Sequence, residues 1–167
     1  MKCVRYLVAA ALAIGVLAVV ASPAGAVAKS SEKVAERHCV AVVAATEQLS
    51  SRQETASPET CFDSEAAVDS YLGDGVQRSS SNVIGRHYMG TSYTGSSITI
   101  VGTTCGGGVW YATGSWNNNI ESTKEYCGSA GTRFYDSSSC SGSYRFVDAD
   151  QATLGWMNNR TSCVRYG

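Results

Sequence analysis

The chain of 167 residues is poor in groups that do chemistry: it holds two histidines, His38 and His87, two prolines, and 16% charged residues. Each shortage closes off a class of function. No G-x-S-x-G nucleophile elbow, no H-E-x-x-H zinc helix and no C-x-x-C pair occurs. Beyond the first 28 residues no apolar run approaches the roughly 20 residues needed to cross a membrane. Basic residues are also few. With Lys2 and Arg5 set aside, 11 remain against 14 acidic ones, a net charge near −3 that argues against nucleic-acid binding. His87, beside Tyr88, is the group placed for acid–base work, with Glu121, Asp136 or Asp148 as carboxylate partner. Nothing in the spacing requires that role, and a solvated histidine next to an aromatic residue is the expected state. The chain is expected not to be an enzyme.

What the chain does have starts with an export pattern. Residues 1–28 carry Lys2 and Arg5, an apolar stretch from Leu7 to Ala21, and small residues at Ala24-Gly25-Ala26 and Ala26-Val27-Ala28. About 15 apolar residues are too few for an anchor, so cleavage after Ala26 or Ala28 is expected, in a signal of bacterial appearance. Cys3 leaves with it. Six cysteines then remain in a glycine-rich, exported chain, the signature of a disulfide-stapled, loop-rich β fold outside the cytoplasm, with no membrane contact in the mature form.

Composition divides the remainder. Residues 29–82 hold 9 acidic residues but only Phe62 and Tyr71 as aromatics, whereas 83–167 hold 12 aromatics and therefore the core. In the first part His38–Ala44 suits a strand and Asp63–Leu72 a short helix, capped by Asp63 or Ser64 and ended by Gly73 or Gly75. Bridging Cys39 to Cys61 would staple this small α/β extension, worth about 3 kcal/mol by loop entropy. Arg78–Asn82 reads as a connector. The second part alternates glycine and serine with short strand-like segments at 97–101, 109–113, 132–135, 143–147 and 163–166, the pattern of an all-β sandwich.

This second part repeats itself. Tyr88-Met89-Gly90-Thr91-Ser92-Tyr93-Thr94-Gly95-Ser96 aligns with Tyr135-Asp136-Ser137-Ser138-Ser139-Cys140-Ser141-Gly142-Ser143, and Trp116-Asn117-Asn118-Asn119-Ile120-Glu121-Ser122 with Met157-Asn158-Asn159-Arg160-Thr161-Ser162-Cys163. The glycine has a physical reason, because a hairpin folding over a sheet needs backbone angles that a side chain forbids. Two copies that each leave half a sheet face open are expected to pack into one sandwich. These residues resemble the βγ-crystallin family, with its aromatic-x-x-x-x-aromatic-x-Gly Greek key and its Asn/Asp-Asn/Asp-x-x-Ser/Thr-Ser turn. They look like its secreted microbial branch, which includes metalloproteinase inhibitors and killer-toxin-like proteins. Three positions depart from the pattern: Cys140 for an aromatic, Glu121 for a Ser or Thr, and Cys163 for the last Ser.

The expected fold is therefore mainly β, a two-Greek-key sandwich over 83–167 behind a small α/β extension at 29–82. Six cysteines allow 15 pairings, and the near-equal spacing points to Cys105 with Cys127 and Cys140 with Cys163, one bridge per repeat. By resemblance, calcium ligands fall on Asn117, Asn118 and Ser122 in one turn and on Asn158, Asn159 and Ser162 in the other. All are neutral, so affinity in the range of about 10⁻⁴ to 10⁻³ M is the most to expect, and the asparagines also make sense as turn formers alone. Glu121 either adds a carboxylate or spoils the site. No other cofactor is expected. Asn159-Arg160-Thr161 matches an N-glycosylation acceptor by accident of the turn.

The resemblance implies a secreted binding protein without catalysis. Its leading specific reading is a proteinase inhibitor, with a secreted protease as partner and the loop Thr103–Gly108 as a rigid presenter. The alternative is a calcium-binding or structural extracellular module, and a toxin-like role stands third. A monomer is expected. Trp110, Trp116 and Trp156 are expected in or near the core.

Overall fold

The computed structural model describes residues 35–43, 58–74, 82–103 and 105–167. The export segment and Arg78–Ser81 lie outside the described residues. Within them are nine strands and one α-helix: β1 (His38–Val42), β2 (Glu59–Phe62), α1 (Glu65–Asp74), β3 (Asn82–Tyr88), β4 (Ser97–Gly102), β5 (Gly108–Tyr111), β6 (Ser122–Glu125), β7 (Thr132–Tyr135), β8 (Tyr144–Val147) and β9 (Cys163–Tyr166). The strands form two sheets, ordered β2-β1-β4-β3-β6 and β5-β9-β7-β8.

The pairing shows how two repeats make one body. Strands β3, β4 and β6 of the first repeat stay together, but its third strand, β5, crosses to pair with β9 in the second sheet. The second repeat returns the exchange: β7 pairs with β8 and β9, while the chain at Gln151 crosses to bridge Thr123 of β6. The fold is thus a mainly β sandwich of two interlocked Greek keys. Ile84, Ile98 and Ile100 from one sheet meet Trp110, Phe134 and Val164 from the other, and Trp116, Ile120, Leu154 and Met157 close the core from the turns.

Both repeats fold a hairpin over their sheet, held differently in each. In the first, Tyr88 is buried edge-on to Tyr93 at 5.8 Å, and Gly95 sits at φ +76°. Ser122, fully buried, ties the hairpin down by accepting the Tyr93 N–H at 3.0 Å and donating to the Gly90 carbonyl at 2.6 Å. In the second, Gly142 takes φ +86°, Cys140 stands in the place of Tyr93 and Cys163 in that of Ser122, and those two cysteines are bonded to each other. Two of the three departures from the repeat pattern are therefore one substitution, a covalent tie in place of a polar one. Disulfides also join Cys39 to Cys61 and Cys105 to Cys127.

The amino-terminal elements join the first sheet. β1 runs parallel to β4, pairing His38 with Ser97 through Val42 with Val101, and β2 is antiparallel to β1 with Cys61 opposite Cys39. Helix α1 starts on Ser64, whose Oγ accepts the Ala67 N–H at 3.2 Å. It runs through Gly73 rather than stopping there, and Gly75 lies outside the described residues. Val68, 1% exposed, packs on Val40 and Val101, with Phe62 and Leu72 beside them. Burying it contributes about 1.5 kcal/mol.

Candidate functional site

The double-asparagine turns are brought together, though in a different grouping from that implied by sequence. Asn118 and Asn159 take left-handed angles, φ +59° and +55°, which asparagine tolerates well. Each then reaches across to the opposite repeat. The Asn118 N–H donates to the Thr161 carbonyl at 2.9 Å, and the Asn159 N–H donates to the Ile120 carbonyl at 3.0 Å. Side chains repeat the symmetry: Ser162 Oγ donates to Asn118 Oδ1 at 3.4 Å, and Asn159 Nδ2 donates to Glu121 Oε1 at 2.5 Å. The result is two clasps related by the internal twofold, each made half from one Greek key and half from the other.

Not every expected ligand belongs to them. Ser122 is committed to Tyr93 and Gly90, and Asn158 Oδ1 accepts from Thr153 Oγ1 at 3.2 Å. Asn117 is exposed, and its carbonyl accepts from Asn119 Nδ2 at 3.3 Å. A hard cation such as calcium wants about six to eight oxygens, preferably with carboxylates among them. The Asn118–Ser162 clasp has none and does not fit. The Asn159–Glu121 clasp has one carboxylate and the Ile120 carbonyl, and an amide whose nitrogen faces Glu121; it would hold an ion only weakly, with that amide turned and water completing the shell. Glu121, which the sequence left as ligand or spoiler, is thus part of the clasp.

His87 corrects the expectation of a solvated side chain, for it is 0% exposed. It lies between the sheets, stacked with Trp110 at 5.6 Å and edge-on to Phe134 at 5.2 Å. Thr123 Oγ1 donates onward to the Arg86 carbonyl at 3.3 Å, so it accepts from His87 Nδ1–H at 2.9 Å. Nε2 then accepts the Tyr166 O–H at 2.6 Å. Burial lowers the His87 pKa to about 3 and raises that of Tyr166 well above its usual value. A neutral imidazole sealed in this way supports the core. His38, 8% exposed, is likewise held, through Nδ1 and Ser97 Oγ at 2.9 Å.

Two further groupings carry less than they promise. Cys39, Glu59 and Cys61 bring ligand-type atoms within 4.8 Å of one another, but the sulfurs are bonded together and Glu59 Oε2 accepts the Trp116 indole N–H at 3.0 Å. Thr104 of the proposed presenting loop lies outside the described residues; Trp110, which follows that loop, is 0% exposed and Trp116 3%, whereas Trp156 is 52% exposed under the Arg160 guanidinium.

Fold and clasps together define a disulfide-tied, two-Greek-key module. Neither a family model nor a curated protein sequence matches the chain. Among solved structures it is similar to the N-terminal domain of protein S (21% identity over 49% of this chain and 92% of that one, TM-score 0.40). It is also similar to a βγ-crystallin domain from Clostridium beijerinckii (18%, 50% and 97%, TM-score 0.39). A third is the βγ-crystallin domain of Abundant Perithecial Protein from Neurospora crassa in its Ca2+-bound form (20%, 50% and 86%, TM-score 0.42).

Proposed function

We propose that this protein is an extracellular structural module that holds calcium weakly at the Asn159–Glu121 clasp. The observation that carries the reading is the reciprocal clasp, which locks the two Greek keys through Asn118 and Asn159 without requiring an ion. Three disulfides fit an oxidising surrounding, and among the described residues no helix is long and apolar enough to cross a membrane. Bound calcium would supply positive charge to the Glu121 carboxylate, with the Asn159 amide turned to offer its oxygen. Proteinase inhibition draws no comparable support, because Trp110 and Trp116, the indole rings nearest in sequence after the 103–108 loop, face the core.

The test is thermal melting of the disulfide-intact protein in EDTA and in about 10 mM calcium. A dissociation constant of about 1 mM gives about 1.4 kcal/mol of stabilisation, a rise in Tm of roughly 5 °C, abolished in Glu121→Gln. Identical melting in both buffers overturns the calcium site. A fold lost in chelator alone overturns a scaffold that closes by itself.

A further inference from the structure

The internal twofold allows the outer faces of the two sheets to be compared position by position. Arg86 on β3 and Arg133 on β7 occupy equivalent places, each two residues before the buried tyrosine of its repeat, Tyr88 or Tyr135. Across the first sheet the outer row runs Val40, Thr99, Arg86, Lys124. Across the second it runs Phe146, Arg133, Arg165, Val109. The two rows differ in what covers them. Helix α1 lies over the first: Val68 seats on Val40 and Val101, and Glu65 and Asp69, one turn apart, bring carboxylates to the Arg86 guanidinium at 3.2 and 2.5 Å. No described element does this for the second.

The second row also carries an unpaid electrostatic debt. Arg133 and Arg165 are directly opposite on neighbouring strands, where like charges destabilise, and among the described residues no side-chain carboxylate pairs with either. Arg133 donates to a main-chain oxygen of Gly167, the last residue of the sequence, at 2.8 Å and stacks over the Phe146 ring at 5.5 Å, which leaves Arg165 as the uncompensated charge. Phe146 itself is 44% exposed. Positive charge flanked by an open ring and Val109 is the complement of what α1 offers on the other side.

We propose that the outer face of the second sheet docks an acidic amphipathic helix of a partner protein, one that carries two carboxylates a turn apart beside an apolar residue. Charge complementarity selects this occupant, and the molecule already contains its template in α1. A second copy of the chain does not qualify: its α1 carboxylates are engaged by its own Arg86, and its own second sheet carries the same positive charge.

The probe is a peptide with the sequence of residues 63–74, stapled between the exposed positions 66 and 70, since so short a helix does not hold alone. It is titrated to about 1 mM into the full, disulfide-intact protein while backbone amide NMR shifts are followed. Expected are shifts at Val109, Arg133, Phe146 and Arg165. Affinity should fall at least tenfold in Arg133→Gln/Arg165→Gln, whose single cooperative melting transition shows it folded, and equally with Glu65→Gln/Asp69→Asn in the peptide. A parallel titration uses a polyuronate chain. No shifts on this face, shifts confined to Arg86 and Val101, or a response to polyuronate but not to peptide each overturn the proposal.

Discussion

Acid should unfold this protein through one side chain. The His87 ring binds its proton at a pH of about 3 when folded and near 6.5 when unfolded, because the folded core excludes the charged form. Below pH 6.5 the unfolded chain takes up a proton that the folded one refuses, so stability falls as pH falls, by up to about 1.4 kcal/mol per pH unit. By pH 4.5 the loss is roughly 2–3 kcal/mol, and by pH 3 roughly 4 kcal/mol, close to the whole stability of a marginal domain. Glu125 works the other way, since burial raises its carboxyl pKa and the folded state holds that proton better. A variant comparison removes it. Urea unfolding of wild type and His87→Gln, disulfides intact, at pH 7, 5.5 and 4.5 should show the wild type losing roughly 2–3 kcal/mol more than the variant over that span. The glutamine keeps an acceptor for Tyr166 O–H while abolishing the titration. Parallel pH dependences would refute the assignment of acid lability to His87.

Ser122→Ala leaves the part-buried Tyr93 N–H and Gly90 carbonyl without their partner and should cost about 1–2 kcal/mol in urea unfolding. Cys140→Ala/Cys163→Ala removes a tie across 23 residues and should cost about 3 kcal/mol. Cys140→Tyr/Cys163→Ser, which copies the first repeat, should recover about half of that loss by the same measurement. Gly131→Ala forces a side chain at φ +66° into the Phe146 ring and the Val147 carbonyl, and should lower stability by about 2 kcal/mol or more while changing the near-ultraviolet signal.

Much of the architecture was legible because β structure with turns leaves regular marks. The segments at 97–101, 132–135 and 163–166 correspond to strands β4, β7 and β9, and the aligned turns pointed to the sandwich. Strand β2 was not legible: Glu59-Thr60-Cys61-Phe62 has no alternation of burial, and its neighbour β1, rather than its own composition, makes it a strand. The clasps were half legible. Their asparagines announce turns, but local spacing cannot show that Asn159 meets Glu121, 38 residues away, because strand exchange makes that contact. His87 was misplaced for a similar reason. Its neighbours in sequence are polar or aromatic, and only the pairing of β3 with β6 and the closing of the second sheet over it carry it inside. The carboxylates on Arg86 are marked in sequence by Glu65 and Asp69 standing four residues apart, a signal that means little until a partner charge is known.

The exchanged third strands set an order on the birth of the molecule. Synthesis proceeds from the amino terminus, so β3, β4 and β6 emerge with everything they need to pair, whereas β5 finds no neighbour until Cys163–Tyr166 follow more than fifty residues later. Until then Trp110 has no sheet to hide in, and Cys127 can capture Cys105 before the core that the bridge packs against exists. A nascent chain halted anywhere before residue 163 is therefore a sticky, half-oxidised species rather than a smaller domain. Its passage to the native state turns on the arrival of the last strand.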